Sequence, residues 1–145
     1  MPSTSQSVTI RRPPSEVFAY LADAENDARW RPSVVEIRRV DGKGLGARYH
    51  PVLRGPGGRP VPADIVIDDY RPDSRIGFRT VTGPVRPTGR YDIAPAGDGS
   101  SSVTLVLDAE LRGVKRLMGG MVEKSMASEV AALARLKEVL ESTST

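Results

Sequence analysis

Tyr49, Tyr91 and Arg90 are the side chains in this sequence best suited to acid–base or oxyanion chemistry. A tyrosine hydroxyl can orient a carbonyl or phenol and move a proton, or it can sit wet at the rim of a core. An arginine turned into an apolar interior supplies a fixed positive charge where negative charge develops. Thr80 adds a third hydroxyl. Which of these reach an interior depends on strand parity, because successive side chains point to opposite faces. Tyr49 shares the face of Ala47 and Leu53, Tyr91 that of Ile93, and Thr80 that of Phe78. The same parity turns His50, Arg79 and Arg90 outward. A bulge would reverse that, and Arg90 would then be the best electrophile in the chain.

Other chemistries find less support. Zinc and similar ions want clusters of Cys, His and carboxylates. The sequence has no Cys and a single His, so no metal is expected. Asp68 and Asp69 are adjacent, and on a regular strand they point apart rather than pairing. There is no Gly-x-Ser-x-Gly elbow and no partnered nucleophile. Gly42, Gly44 and Gly46 lead from strand to strand, not into a helix, and lack the setting of a dinucleotide loop. No cofactor is expected, and no complete catalytic constellation is visible.

The elements that would position these groups follow from the apolar pattern. Residues 7–12 alternate as a strand, and Pro13-Pro14 end it. Val17, Phe18, Leu21 and Ala22 recur at helical spacing, which predicts a short helix over 14–22, with Pro14 in its first turn. A second short helical stretch covers 24–30 and stops at Pro32. From Val34 to Arg112 the pattern becomes strands joined by turns. Val35 and Ile37 alternate with charges, and further strands follow at 47–54 and around Ala63, Ile65 and Ile67. Ile76, Phe78, Thr80 and Thr82 share one face, as do Gly89, Tyr91 and Ile93. Val103, Leu105, Leu107, Ala109 and Leu111 give the cleanest alternation. Short strands joined by tight turns imply an antiparallel meander. From Val114 to Leu140 apolar residues step by three and four, predicting one continuous amphipathic helix.

Composition bounds the rest. The 145 residues suit one domain, with 1–5 and 142–145 as disordered tails. Lys and Arg number 21 against 18 Asp and Glu, with the signs mixed along the chain and aromatics at 5%, which argues against nucleic-acid binding. The polar N-terminus has no apolar h-region, and no run is long enough to span a bilayer. The lack of Cys permits a reducing compartment, so a cytoplasmic monomer or homodimer is expected. A single helix covers only part of a broad sheet, and large fillers are scarce: one Trp, two Phe and four Tyr. That favours an interior void over a solid core. Gly119-Gly120 either thins the helix to admit a ligand beside Met118, Met121 and Met126 or marks a boundary between a short helix and the main one. Trp30 either lines the cavity mouth or caps the core.

Several segments carry a family likeness. The opening strand, then Pro13-Pro14-Ser15-Glu16-Val17-Phe18-Ala19-Tyr20-Leu21-Ala22-Asp23, then Trp30 with Pro32, resembles the opening signature of the START-like, helix-grip superfamily. Tyr70-Arg71-Pro72 followed by Arg75-Ile76-Gly77-Phe78 is similar to its mid-sheet signature, and residues 133–141 to its C-terminal helix. The branch it resembles is the polyketide cyclase/dehydrase and lipid-transport group. The resemblance implies an α+β helix-grip fold: a curved antiparallel sheet wrapped around a long C-terminal helix, with two short helices after the first strand. It also implies a hydrophobic cavity between sheet and helix. Strand parity and the helical stripe then give the expected lining as Trp30, Tyr49, Ile65, Phe78, Thr80, Tyr91, Leu105, Leu117, Met118, Met121, Val122 and Met126.

Two readings of function stand at this point. One is a carrier or sensor that binds a hydrophobic small molecule, whether lipid, polyketide or aromatic. The other is a polyketide cyclase or dehydratase using Tyr49, Tyr91 and Arg90. Aromatic polyketide cyclases of the group carry several cavity aromatics and an arginine or histidine acid/base, and this chain departs from that with few aromatics and one His.

Overall fold

In the computed structural model Pro13 and Pro14 make the first reversal, and they do so for the reason the sequence suggests. Strand β1 (Ser3–Ile10) ends ahead of them, and helix α1 (Pro14–Ala22) starts on Pro14 with Glu16 in its first turn. Proline fits there because its missing N–H would have no helical partner. The structure describes residues 3–83, 86–109 and 119–142. A 3₁₀ helix (Ala24–Arg29) follows α1 directly, and Asp23 caps it by accepting the Glu25 N–H at 3.1 Å.

Strands β2 (Val34–Asp41), β3 (Arg48–Arg54), β4 (Pro60–Pro62), β5 (Ile65–Arg71), β6 (Arg75–Thr80), β7 (Thr88–Pro95) and β8 (Ser101–Asp108) complete one curved, open, antiparallel sheet of eight strands. Its order is β1-β8-β7-β6-β5-β3-β2, with β4 paired to β3. The connections from β5 to β6 and from β7 to β8 are short turns, as antiparallel neighbours permit. At the turn after β5, Asp73 takes φ 64°, a left-handed conformation that aspartate tolerates better than most side chains. β8 shows the period of two most clearly: Ser101, Val103, Leu105 and Leu107 are buried and their neighbours are not.

Helices α2 (Gly119–Ala131) and α3 (Leu133–Ser142) pack on the β1 and β8 side of the concave face, while α1 covers β6 and β7. Leu133, Leu136 and Leu140 of α3 are buried, and so are Met126 and Val130 of α2. α3 is also tied at its far end. Glu141 accepts the Arg11 N–H at 2.8 Å and Lys137 Nζ at 2.7 Å, and Lys137 also reaches the Thr9 carbonyl at 2.8 Å. Hydrogen bonds from Lys137 and from the Arg11 backbone hold the Glu141 carboxyl down at about 2.

Four features differ from expectation. β1 begins at Ser3, which pairs with Asp108, so residues 3–5 belong to the sheet rather than to a tail, and Ser142 closes α3. The C-terminal helix is interrupted at Ala132, where one N–H is shared between the carbonyls of Ser128 and Glu129 at 3.2 Å each. No Gly or Pro marks that break. In β2 a register shift between Val34 and Glu36 buries Val34 and leaves Val35 exposed. In β5 a shift between Ile67 and Asp69 brings Asp68 and Asp69 to the same face. A Cβ placed on Gly77 would meet Asp69 Cβ at 2.9 Å and Asp68 Oδ1 at 3.1 Å, so both aspartate side chains stand over that glycine. Gly119 and Gly120 are the first described residues of α2. The expected stretch 114–118 and Leu111 lie outside the described residues.

Candidate functional site

Several of the residues expected to line a cavity lie in one buried core patch or pack against it. Tyr91 of β7 meets the ring of Trp30 edge-on, with centroids 6.1 Å apart at 68°. It meets Phe78 of β6 at 6.1 Å and 40°. Such offset and edge contacts are the favoured ring geometries. Gly89 makes room for them. A Cβ there would lie 2.5 Å from Phe78 Cζ and 2.7 Å from Leu107 Cδ2. Gly89→Ala is therefore expected to force both side chains off their positions and to lower unfolding free energy by about 1–3 kcal/mol. Urea unfolding checks this, and an unchanged midpoint would mean that Phe78 moves freely.

Trp30, at 1% exposure, is capped over by the core rather than standing at an open mouth. Ile65, Thr80 and Leu105 are buried, and so is Met126 from the helix side. Tyr49 is equally buried but has a local use, because its hydroxyl donates to the Ala22 carbonyl at 3.4 Å. Burial raises its pKa. Leu117 and Met118 fall outside the described residues, and for Met121 and Val122 only their place in α2 is described.

Arg90 is on the other side of the sheet. No register shift interrupts β6–β7 or β7–β8, so the parity argument holds and the inward alternative does not. Its Nε donates to Asp92 at 2.9 Å, and Arg75 Nε reaches the same carboxylate at 2.6 Å. Arg75 and Arg90 border a shallow outer depression of about 260 Å³ whose rim includes Asp68, Asp69 and Asp108. His50, expected outward, is partly covered and pairs through Nδ1 with Asp64 at 2.5 Å. Among the described residues no group of three or more His, Asp or Glu could hold a metal ion. No described helix is long and apolar enough to cross a membrane.

Beside Tyr91 lies a buried ionic cluster that no sequence motif announced. Arg31 Nη1 donates to Asp27 Oδ2 at 2.9 Å, one helical turn back. Arg31 Nη2 donates to Glu129 Oε2 of α2, and Ser33 Oγ donates to Glu129 Oε1. The cluster thus joins the 3₁₀ helix and the start of β2 to the C-terminal helix. A usable signal did exist: Glu129 stands inside the apolar stripe, three residues after Met126 and four before Leu133. Asp27 is 5% exposed, and its carboxyl is pushed up to about 6, chiefly by burial, with the Arg31 charge and hydrogen bond opposing. The Tyr91 hydroxyl is raised well above its ordinary value, first by burial and then by the Asp27 charge, with Arg31 opposing. At neutral pH it is an O–H, fit to donate or accept a hydrogen bond and unfit to act as a base.

Because the folded pKa of Asp27 lies above its unfolded value, its contribution to stability is complete below about pH 4 and is lost as pH rises through about 6. The shift corresponds to about 3 kcal/mol in order of magnitude. The Asp27→Asn variant is expected to lack this slope. Urea midpoints of both proteins from pH 4 to 7.5 test it, and a difference that does not change with pH would refute it.

Comparison with known proteins agrees with this geometry. The family described as polyketide cyclase / dehydrase and lipid transport matches residues 1–141. No curated protein matches the chain. Among solved structures, the chain is similar to TTHA0849 from Thermus thermophilus, with TM-score 0.82 and 24% identity over 99% of this chain and 100% of that one. It is similar to the Zhui aromatase/cyclase from Streptomyces sp. R1128, with TM-score 0.75 and 17% identity over 94% and 93%. It is also similar to a START superfamily protein from Mycobacterium smegmatis, with TM-score 0.65 and 16% identity over 92% and 98%. At these identities the structural likenesses establish the fold, which is the START-like helix grip.

Proposed function

Since this chain belongs to the polyketide cyclase/dehydrase and lipid transport family, we propose that it binds a hydrophobic small molecule between the sheet and the C-terminal helices, as a carrier or sensor. The observation that carries this reading is the state of the interior charges. Arg31 is held by Asp27 and Glu129, so its guanidinium is committed to its own fold. The Tyr91 hydroxyl stays protonated, and the Tyr91 ring lies among apolar or aromatic groups that include Trp30 and Phe78, in one core with Leu105 and Leu107. An apolar patch with one polar end is the usual form of a small-molecule site that orients its ligand without reacting with it. Native mass spectrometry of the purified protein is expected to show a co-purified hydrophobic ligand. Failure to bind any member of a broad panel of lipids and aromatics would sink the reading.

A second reading, a cyclase or dehydratase acting on a poly-β-keto substrate, draws on the convergence of Tyr91 with the Asp27–Arg31–Glu129 cluster at one end of the patch. There Tyr91 would be the acid that protonates a developing oxyanion. It requires turnover that falls in Tyr91→Phe. A rate equal to wild type in that variant removes Tyr91 from any mechanism.

A further inference from the structure

Trp30 Nε1 is a buried donor with no hydrogen-bond partner among the described residues. Its ring packs against Tyr91, at the polar end of the inward patch. A buried N–H left unpaired is costly, and an oxygen brought by a ligand would remove that penalty. The same end carries two carboxylates, Asp27 and Glu129, around a single guanidinium. Arg31 follows Trp30 in the chain and Asp27 lies three residues before it, and both act electrostatically on Tyr91, as does Glu129. Ionised, this cluster holds one excess negative charge in a poorly solvated place, and Arg31 has its donors directed at its own partners. A third carboxylate arriving there would meet like charge with little water to screen it.

We infer, on the binding reading above, that the interior ligand is uncharged and offers an acceptor oxygen of the ketone, ester or ether class to Trp30 Nε1, while carboxylate ligands are refused by Asp27 and Glu129. The apolar body of such a molecule lies on Phe78 and Leu107, and its oxygen sits at the indole edge. Fatty acids, ionised at neutral pH, are the wrong class. Their esters, and methyl ketones of similar length, are the right one.

The test uses the full chain at pH 8 with two matched sets of probes. One set is 1-acetonaphthone, 1-naphthoate and 1-methylnaphthalene; the other is 2-undecanone, decanoate and undecane. Titration calorimetry gives affinities, and the fluorescence of the chain's single tryptophan reports contact at the site itself. In whichever set fits, the ketone is expected to bind at least about tenfold tighter than the carboxylate and about fivefold tighter than the hydrocarbon. Trp30→Phe is expected to bring ketone and hydrocarbon to equal affinity while hydrocarbon binding stays within about twofold, whereas a merely structural tryptophan would weaken every probe alike. A carboxylate that binds as tightly as its ketone overturns the charge argument and leaves hydrophobic binding standing. A hydrocarbon that binds as tightly as its ketone overturns the role of Trp30. If none of the six binds, the binding reading falls and this inference falls with it.

Discussion

Replacing Arg31 with methionine is expected to lower the unfolding free energy at pH 7.5 by about 3–5 kcal/mol, among the largest effects available to a single substitution here. The reason is not the strength of the ion pairs. A buried ion pair is close to neutral against an apolar replacement of similar volume. What is expensive is one partner without the other. Arg31→Met leaves the Asp27 and Glu129 carboxylates, both largely buried, without the cation that both contact. Ser33 still bonds to Glu129, but Asp27 loses its counter-charge entirely among the described interactions. With that counter-charge gone, the Asp27 pKa rises further above its unfolded value. The penalty is therefore greatest at neutral pH and shrinks as pH falls toward 5 and Asp27 takes up its proton. The combined variant Asp27→Leu, Arg31→Met, Glu129→Leu is expected to recover most of the loss. Denaturant unfolding of wild type and both variants at pH 5 and 7.5 decides the matter. A single variant within about 1 kcal/mol of wild type at pH 7.5 would show that water already reaches the cluster.

That cluster also marks the limit of what could be read from the sequence. Strand parity placed Tyr49, Thr80, Tyr91 and Leu105 inward because a period of two survives wherever a strand is regular. Arg90 was placed outward by the same rule, and pairs there with Asp92. The rule failed where a strand was not regular. The shift between Ile67 and Asp69 accompanies Gly77, a residue on the neighbouring strand, so nothing local to Asp68-Asp69 could have signalled it. The break at Ala132 has no Gly or Pro to announce it and arises within a stripe that reads as continuous. The Arg31–Glu129 contact joins residues 98 apart in sequence. Only the tertiary fold brings them together, and only the odd position of Glu129 within an apolar stripe hinted that it had a partner. The fold was therefore largely legible through its short-range patterns, whereas the charged part of the candidate site was not, because it is made of long-range contacts.

Leu136→Ala tests whether the grip of the terminal helix on the sheet is what closes the interior. Leu136 is fully buried between Leu133 and Leu140, with α3 lying along β1. Truncation removes the apolar contacts and leaves a void that close-packed neighbours fill only in part, an expected loss of about 2–5 kcal/mol. Arg135, the adjacent and exposed position on the same helix, is expected to change stability by less than about 0.5 kcal/mol when made alanine. The contrast separates burial from helix propensity, since alanine is the best helix former and cannot weaken α3 by itself. The functional consequence follows from continuity. α3 leads back through Ala132 to Glu129, which Arg31 and Ser33 hold beside Tyr91. Loosening α3 should therefore loosen the wall of the proposed ligand site as well. Hydrogen exchange is expected to show faster exchange in both α3 and the second half of α2 of the Leu136→Ala protein, with β5 and β6 unchanged. Faster exchange confined to α3 would mean that the break at Ala132 uncouples the two helices, and that α2 is held by the Arg31 contact without help from α3.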